Sequence, residues 1–418
     1  RAGHTAVLID NKIYFHGGVS DSGYIYSDLF YLDVSNPFNV SDISSMPWSD
    51  PTSIPAFTAR SYGAACAGSI TSKSIFFIGG TLSSGHFVDE FNTTTLRWNF
   101  PLVSGESVPQ NRSQIQCVVL KDAIYVYSGN IENDMIKLNT TSLTWSVEDE
   151  INPPAAYGGY TATLLPNGNI VYLRGFYVAN FTLPGLDQIL VYNTNNNSWS
   201  TITATGSIPH PRNGHTAILL VQYDQILVVN GLITTTVSAL NIVNYVWSDI
   251  PISTDVGAPS PSYTIVFQTS TLIGNYIFVA LGYNLDRRIS TNNIFLLDVS
   301  KKNNYKWVKT YYPPGYVSPN VTTTPNSEAT NNIGVIIGGT IGGIVGLVVV
   351  VIIVLVIRKK YCFSASDSQG ITNHQPYQGG MTNYQQYQDG TTNHQPYQGW
   401  RTNRQLYQDG TTNHQPMF

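Results

Sequence analysis

The chain has 418 residues, a net charge of −4 and only 11% charged side chains. That balance leaves no cationic surface for nucleic acid, and the abundance of Asn, Thr and Ser fits an extracellular domain. No Ser-His-Asp constellation, phosphate loop or paired-carboxylate signature is present.

Six of the seven tryptophans, Trp48, Trp98, Trp145, Trp199, Trp247 and Trp307, recur at intervals of 47 to 60 residues. A period of that size marks an array of one supersecondary unit. The first unit reads Arg1-Ala2-Gly3-His4-Thr5-Ala6-Val7-Leu8, then Lys12 to Gly18, then Asp28 to Asp33, then Trp48. The second keeps Arg60, Gly79-Gly80, Phe91-Asn92 and Trp98. The third keeps Arg112, Gly129, Leu138-Asn139 and Trp145. The fourth keeps Gly175, Val191-Tyr192-Asn193 and Trp199, with Tyr157 in the Arg position. The fifth repeats Arg212-Asn213-Gly214-His215-Thr216-Ala217-Ile218-Leu219, then Gln225 to Gly231, Leu240 to Ile242, and Trp247. The sixth keeps Gly282, Phe295 to Asp298 and Trp307, with Ser260 in the Arg position.

Runs such as Ser74–Ile78 and Ala123–Tyr127 are β-branched and aromatic without helical spacing, so they predict buried strands. One four-stranded sheet cannot bury both faces, whereas a ring of them can. The Arg-x-Gly-His start, the Gly-Gly strand end and the closing Trp resemble the kelch repeat over residues 1 to about 309. The expected fold is all-β: a six-bladed kelch-type β-propeller at 1–312, followed by one transmembrane α-helix and a disordered tail. Two ways of closing the ring stay open. Either an upstream strand latches onto the last blade, or the sixth blade is complete in itself, using 292–309. A chain starting at Arg1, inside a repeat, is expected to be processed or truncated.

Seven Asn-x-Ser/Thr acceptors, Asn39, Asn92, Asn111, Asn139, Asn180, Asn196 and Asn320, all precede residue 323. A stalk at 313–332 leads to Ile333–Ile357, 25 residues without charge. As a helix this run is roughly 37 Å long, enough to cross a bilayer. Arg358-Lys359-Lys360 follows, so the propeller is expected outside (or in a secretory lumen) and the tail at 358–418 in the cytoplasm, an arrangement that needs an upstream signal peptide. Gly334, Gly338, Gly342 and Gly346 repeat every four residues, which favours close helix packing and a homodimer. The tail carries ten-residue repeats with Tyr377, Tyr387, Tyr397 and Tyr407, and its composition predicts disorder. Cys362, beside the basic cluster, is a palmitoylation candidate. Cys66 and Cys117 fall one residue out of phase in adjacent repeats and are expected to be buried small hydrophobes, not a disulfide.

Aligned repeats bring Arg1, Arg60, Arg112, Tyr157 and Arg212 into one ring, and His4, Tyr160, His215 and Tyr263 into another. This predicts a polar, aromatic channel mouth suited to carboxylates, phosphates or sugar rings. The same residues serve equally as repeat consensus that holds the blades together. Loops 18–28, 36–59, 174–188 and 232–237 are further contact surfaces. Kelch resemblance implies an interaction scaffold. The reading is therefore a membrane-tethered, non-catalytic module for a glycan or protein, without catalytic residues, metal or cofactor. The alternative is a galactose-oxidase-like copper radical oxidase of sugars or alcohols, implied by fold resemblance alone. Its His and Tyr ligand set and cross-linked Cys are not evident among His4, His16, His86, His210, His215 and the two cysteines.

Overall fold

The structure is a computed structural model that describes residues 1–316, except 51–57, 70, 84, 106–111, 130–132 and 233–236. Asn111, Asn320, the apolar run 333–357 with its four glycines, Cys362, the tail and most of the stalk lie outside the described residues. Among the described residues, no helix is long and apolar enough to cross a membrane.

Six antiparallel four-stranded sheets follow one another along the chain. Blade 1 takes Thr5–Ile9, Lys12–His16, Leu29–Asp33 and Trp48–Ser49, from the channel outward. The other inner strands are Ala64–Ala67, Cys117–Leu120, Thr161–Leu164, Thr216–Leu220 and Thr269–Ile273. The other outer strands are Arg97–Asn99, Thr144–Val147, Ser198–Thr203, Val246–Ile250 and Lys306–Val308. Each inner strand touches the inner strands of both neighbours. Thr5–Ile9 touches Thr269–Ile273, so the blades form a closed ring.

There is no single core. Six apolar clusters fill the six junctions, and each tryptophan faces the preceding blade. Trp247, for example, packs with Val171, Leu173 and Val191 of blade 4, and its Nε1 donates to Leu186 O at 2.9 Å. The large flat indole is what fills a wedge that widens outward.

The ring closes without an upstream strand. Blade 6 takes all four strands from residues 269–308. Thr310–Tyr311 then pairs antiparallel with Phe38–Asn39 of blade 1. Tyr311 stacks on Phe38 at 4.9 Å and donates to Val34 O at 3.2 Å. At four other junctions the linker pairs in parallel with the next outer strand, as Ser104–Gly105 does with Thr144 and Trp145, the one before blade 4 through the single bridge of Ile151 with Ser198.

The expectation of two free cysteines is overturned: Cys66 and Cys117 form a disulfide, with Cα atoms 6.3 Å apart. The one-residue offset is the reason it forms. Successive strand residues point to opposite faces. The forward face of blade 2 meets the backward face of blade 3, so partners across the junction must differ by an odd number of positions.

Two faces result. At the mouth face the inner strands begin and the second strand turns into the third. At the hairpin face the first and second strands join, as do the third and fourth. The latter turns are set by asparagine side chains: Asn92 Oδ1 accepts from Thr94 and Thr95 N–H, and Asn139 Oδ1 accepts from Thr141 and Ser142 N–H.

Candidate binding site at the channel mouth

The consensus arginines do not point into the channel. Arg60 and Asp89 are a fully buried ion pair, and Arg60 also donates to Gly79 O at 2.8 Å and His86 O at 3.2 Å. Arg112 donates to Ser128 O at 3.2 Å and grips Asp134 through two bonds of 2.8 and 3.2 Å. Arg1 holds Asp28 and Gly17 O in the same manner. Among the described residues, Arg212 donates to two carbonyls, Asn230 O and His210 O, and burial lowers its pKa to about 10. Each guanidinium ties the start of its blade to the loop that leaves the second strand. Blade 4 solves the same problem differently. Tyr157 occupies the Arg position, and Arg174 supplies a guanidinium from the second strand's end, 5.9 Å from the Tyr157 ring and 2.8 Å from Gly185 O.

Two main-chain belts encircle the mouth. In the first, Gly3 N–H donates to Phe267 O, Tyr62 to Gly3, Gln114 to Tyr62, Gly159 to Gln114, and Phe267 to Gly214, at 2.6–3.0 Å. In the second, Gly18, Gly80, Gly129, Gly231 and Gly282 donate to Arg60, Arg112, Tyr157, Ile265 and Arg1 carbonyls of the next blade. Among the described residues both belts lack one link, and it is the same one, blade 4 to blade 5.

The belts also correct the phase of the sixth repeat. Its equivalent of Arg60-Ser61 is Ile265-Val266, which pairs with Tyr283-Asn284 as Arg60-Ser61 pairs with Leu82 and Thr81. Ser260 and Tyr263 are therefore not ring members. Tyr263 accepts a hydrogen bond from Asn293 and lies near Thr291 instead. The long interval between Trp247 and Trp307 absorbs the five extra residues.

Six residues in register line the first belt: Gly3, Tyr62, Gln114, Gly159, Gly214 and Phe267, with φ between 57 and 63°. Glycine meets that left-handed conformation without penalty, but Tyr62, Gln114 and Phe267 adopt it with side chains. The Tyr62 and Phe267 rings meet edge to face at 5.0 Å. Directly below lie His4, Gly63, Ile115, Tyr160, His215 and Gln268, and the two layers enclose a mouth cavity of about 90 Å³. A deeper cavity of about 240 Å³ continues past Thr5, Gln116, Thr216, Thr269 and Ser270. His4 Nε2 lies 2.9 Å from Thr269 Oγ1, and His215 Nε2 lies 3.4 Å from Thr161 Oγ1. Burial, reinforced by the nearby Arg1 and Arg212 charges, lowers both imidazole pKa values to about 3, so both are neutral at pH 7. Tyr160 is buried among Tyr127 and Tyr172 and donates to the Tyr127 carbonyl. The Tyr157 ring lies tilted beside Tyr177 at 4.8 Å, and Tyr157 lines neither cavity.

Of the residues expected at the mouth, His4, Tyr160 and His215 line this cavity, and the structure adds Tyr62, Gln114, Gln116, Phe267 and Gln268 to its lining. Non-glycine residues two places after the Arg position were the available signal. A metal-ligand set does not converge: among the described residues no three His, Cys, Asp or Glu side chains group together. His16 is buried on Asp28 O, His86 lies beside Asp89, and His210 is exposed. With Cys66 and Cys117 joined to each other, neither is available for a tyrosine cross-link.

The family described as KLHDC2/KLHL20/DRC7 Kelch-repeats domain matches residues 3–231. Kelch domain-containing protein 3 of Rattus norvegicus is 27% identical over 243 residues, 52% of this chain and 60% of that protein. Kelch domain-containing protein 1 of Homo sapiens is 29% identical over 147 residues, 34% of this chain and 35% of that protein. Acyl-CoA-binding domain-containing protein 5 of Arabidopsis thaliana is 24% identical over 299 residues, 67% of this chain and 44% of that protein. The chain therefore spans about 60% of the first of these relatives. The solved structure of YjhT superposes with a TM-score of 0.55 at 12% identity, covering 74% of this chain and 97% of that one, which is a likeness of fold. With the family match extending over more than half of its length, the chain belongs to the KLHDC2/KLHL20/DRC7 kelch-repeats domain family.

Proposed function

We propose that this propeller is an exported, non-catalytic interaction module, tethered through its C-terminal side, that engages a protein partner with its mouth face. The observation that carries this reading is the rim of that face. Three loops there each raise a large apolar side chain into solvent: Tyr24 is 63%, Phe181 62% and Ile289 48% exposed. Such side chains on loops over a rigid scaffold are the usual anchors of protein interfaces. The loops of blades 1 and 6 brace each other, since Asp21 Oδ1 accepts from both N–H and Oγ of Ser290 at 2.7 Å. That bracing lowers the ordering cost of docking.

The disulfide supports an oxidising compartment. The layout supports a tether on the opposite side. Pro314 sits against Gly274, in the hairpin between the first two strands of blade 6, so the chain leaves the propeller at the hairpin face. The sequons Asn39, Asn92, Asn139 and Asn196 are on that face too, and Asn180 lies on the mouth face.

The test is binding of the soluble propeller to a panel of cell surfaces, with Tyr24→Ala, Phe181→Ala and Ile289→Ala combined. A loss of at least tenfold in affinity at an unchanged melting temperature is expected. Equal binding by the triple variant would sink the mouth-face assignment.

A further inference from the structure

We propose that the hairpin ends of blades 5 and 6, with the exit segment 312–316, form a surface that rests on an anionic lipid bilayer. This rests on the tether of the preceding reading and adds what the face beside that tether touches.

The turns and the exit are tied into one surface. Ile242 N–H donates to Asp224 O at 2.9 Å, which joins the two turns of blade 5. Tyr223 Oη donates to Ser300 O at 2.6 Å and Gln225 Nε2 to Asn303 Oδ1 at 3.2 Å, which joins blade 5 to the last turn of blade 6. Val299 N–H donates to Asn275 O at 2.8 Å, beside the Gly274 that Pro314 packs against. Tyr312 and Tyr316 flank that proline, with their rings stacked at 5.4 Å.

This surface shows solvent an apolar and cationic set of side chains. Val221 is 57% and Val243 73% exposed, and both tyrosines are exposed. Lys301 and Lys302 are exposed on the blade 6 turn and form no ion pair among the described residues. Asp298 Oδ1 is engaged by Ser300 N–H at 2.8 Å, which leaves exposed Asp224 against two lysines. Tyrosines and aliphatic tips settle at headgroup level, while ammonium groups meet lipid phosphates.

The turn sequences point the same way. Asn92, Asn139 and Asn241 make one kind of turn, each Oδ1 accepting from the N–H groups two and three residues on. Blades 2 and 3 follow the asparagine with Thr-Thr and so carry a sequon; blade 5 follows it with Ile242-Val243. The turn itself does not require that change, because its bonds go to main-chain N–H groups. Blades 5 and 6 therefore offer no acceptor for a bulky glycan in the sector where the chain leaves. Asn39, across the clasp from Thr310, marks the border of that sector.

The path of the chain selects the occupant. Residues 317–332 separate Tyr316 from the uncharged run 333–357, a spacer that reaches at most about 60 Å. A bilayer holding that run is the one large surface the tether keeps within reach of this face. A second copy fits less well, since a symmetric contact would set the lysines of one patch against those of the other.

The experiment places the full chain in nanodiscs, one copy per disc, of phosphatidylcholine with or without phosphatidylglycerol. Hydrogen exchange of peptides covering 220–225, 241–246 and 298–304 is compared with that of the chain in detergent. Exchange on the anionic discs should be slower by about fivefold or more, an effect that shrinks in high salt. Lys301→Glu with Lys302→Glu, and separately Val221→Asp with Val243→Asp, should each abolish the protection while the chain stays in the disc. Failure of the chain to enter the discs would overturn the tether, and this proposal with it. Entry without protection of these turns would overturn this proposal alone. So would protection of the mouth-face loops instead, equal protection on discs lacking anionic lipid, or protection unchanged in either double variant. Protection seen only at two copies per disc would assign the patch to a second copy and equally overturn it.

Discussion

Cys66 and Cys117 join the inner strands of blades 2 and 3 across a sequence separation of 51 residues. The bond sits at the channel wall, where each blade contributes its shortest lever to the ring. A cross-link closing a loop of that length stabilises by about 2–4 kcal/mol, mostly by restricting the unfolded chain. Replacing both cysteines by Ala should lower the unfolding free energy by that amount, read as a lower urea midpoint, without changing the fold seen by circular dichroism. Mass spectrometry of the unreduced protein should find the two cysteines joined.

Substitution of the arginines should separate two degrees of burial. Arg60→Met leaves Asp89 charged and fully buried, so it should cost about 3–5 kcal/mol. Arg1→Met breaks a pair whose side chains are 16% and 42% exposed, and should cost less than about 1 kcal/mol. Denaturant unfolding of the two variants checks the order. Equal losses would mean that the arginines act through packing and not through their ion pairs.

Acid should destabilise the propeller before its carboxylates protonate. His4, His16 and His215 are buried and held neutral, with pKa values of about 3, by burial and by neighbouring arginines. In the unfolded chain they titrate near 6.5, so below that pH the unfolded state binds more protons. Stability is complete above about pH 6.5 and falls as the pH drops toward 3, by up to about 1.4 kcal/mol per pH unit for each histidine. Between pH 6.5 and 5 the carboxylates add little. Urea unfolding across that interval should show the slope, and His4→Gln with His215→Gln should flatten it.

Among the described residues both belts lack their blade 4 to blade 5 link, so this junction should exchange its amides first. Hydrogen exchange is expected to be faster in peptides covering 157–160 and 210–216 than in those covering 1–5 and 60–64. What remains at that junction is largely apolar, centred on Trp247, which is 1% exposed. Trp247→Ala should cost about 3–5 kcal/mol. Uniform protection around the ring would show that the missing links are immaterial.

Much of the architecture was legible because it is repeated: the tryptophan interval, the glycine pairs and the apolar strand runs all map onto blades. The channel was less legible, for physical reasons. Equivalence in the repeat fixes where a Cα lies, not where a long side chain ends, and arginine is long enough to turn away from the mouth. The belts are main-chain bonds, invisible to residue identity except through the left-handed positions that glycine usually fills. The sixth repeat misled because its first strand begins five residues later than the Trp interval implied. Arg174 standing in for the arginine missing at position 157 is a compensation between strands that no single repeat displays.

The pairing of Thr310–Tyr311 with Phe38–Asn39 has a mechanical consequence. These few residues hold the last blade's exit against the first blade, and the chain continues from them toward residue 418. A pull on the continuing chain would therefore load the Pro314 contact with Gly274 and then this clasp. Tyr311, wedged on Phe38 and latched to Val34, is the strongest hold of the clasp against that force. Within the propeller, such a force would be taken up at the suture on the hairpin face, opposite the mouth.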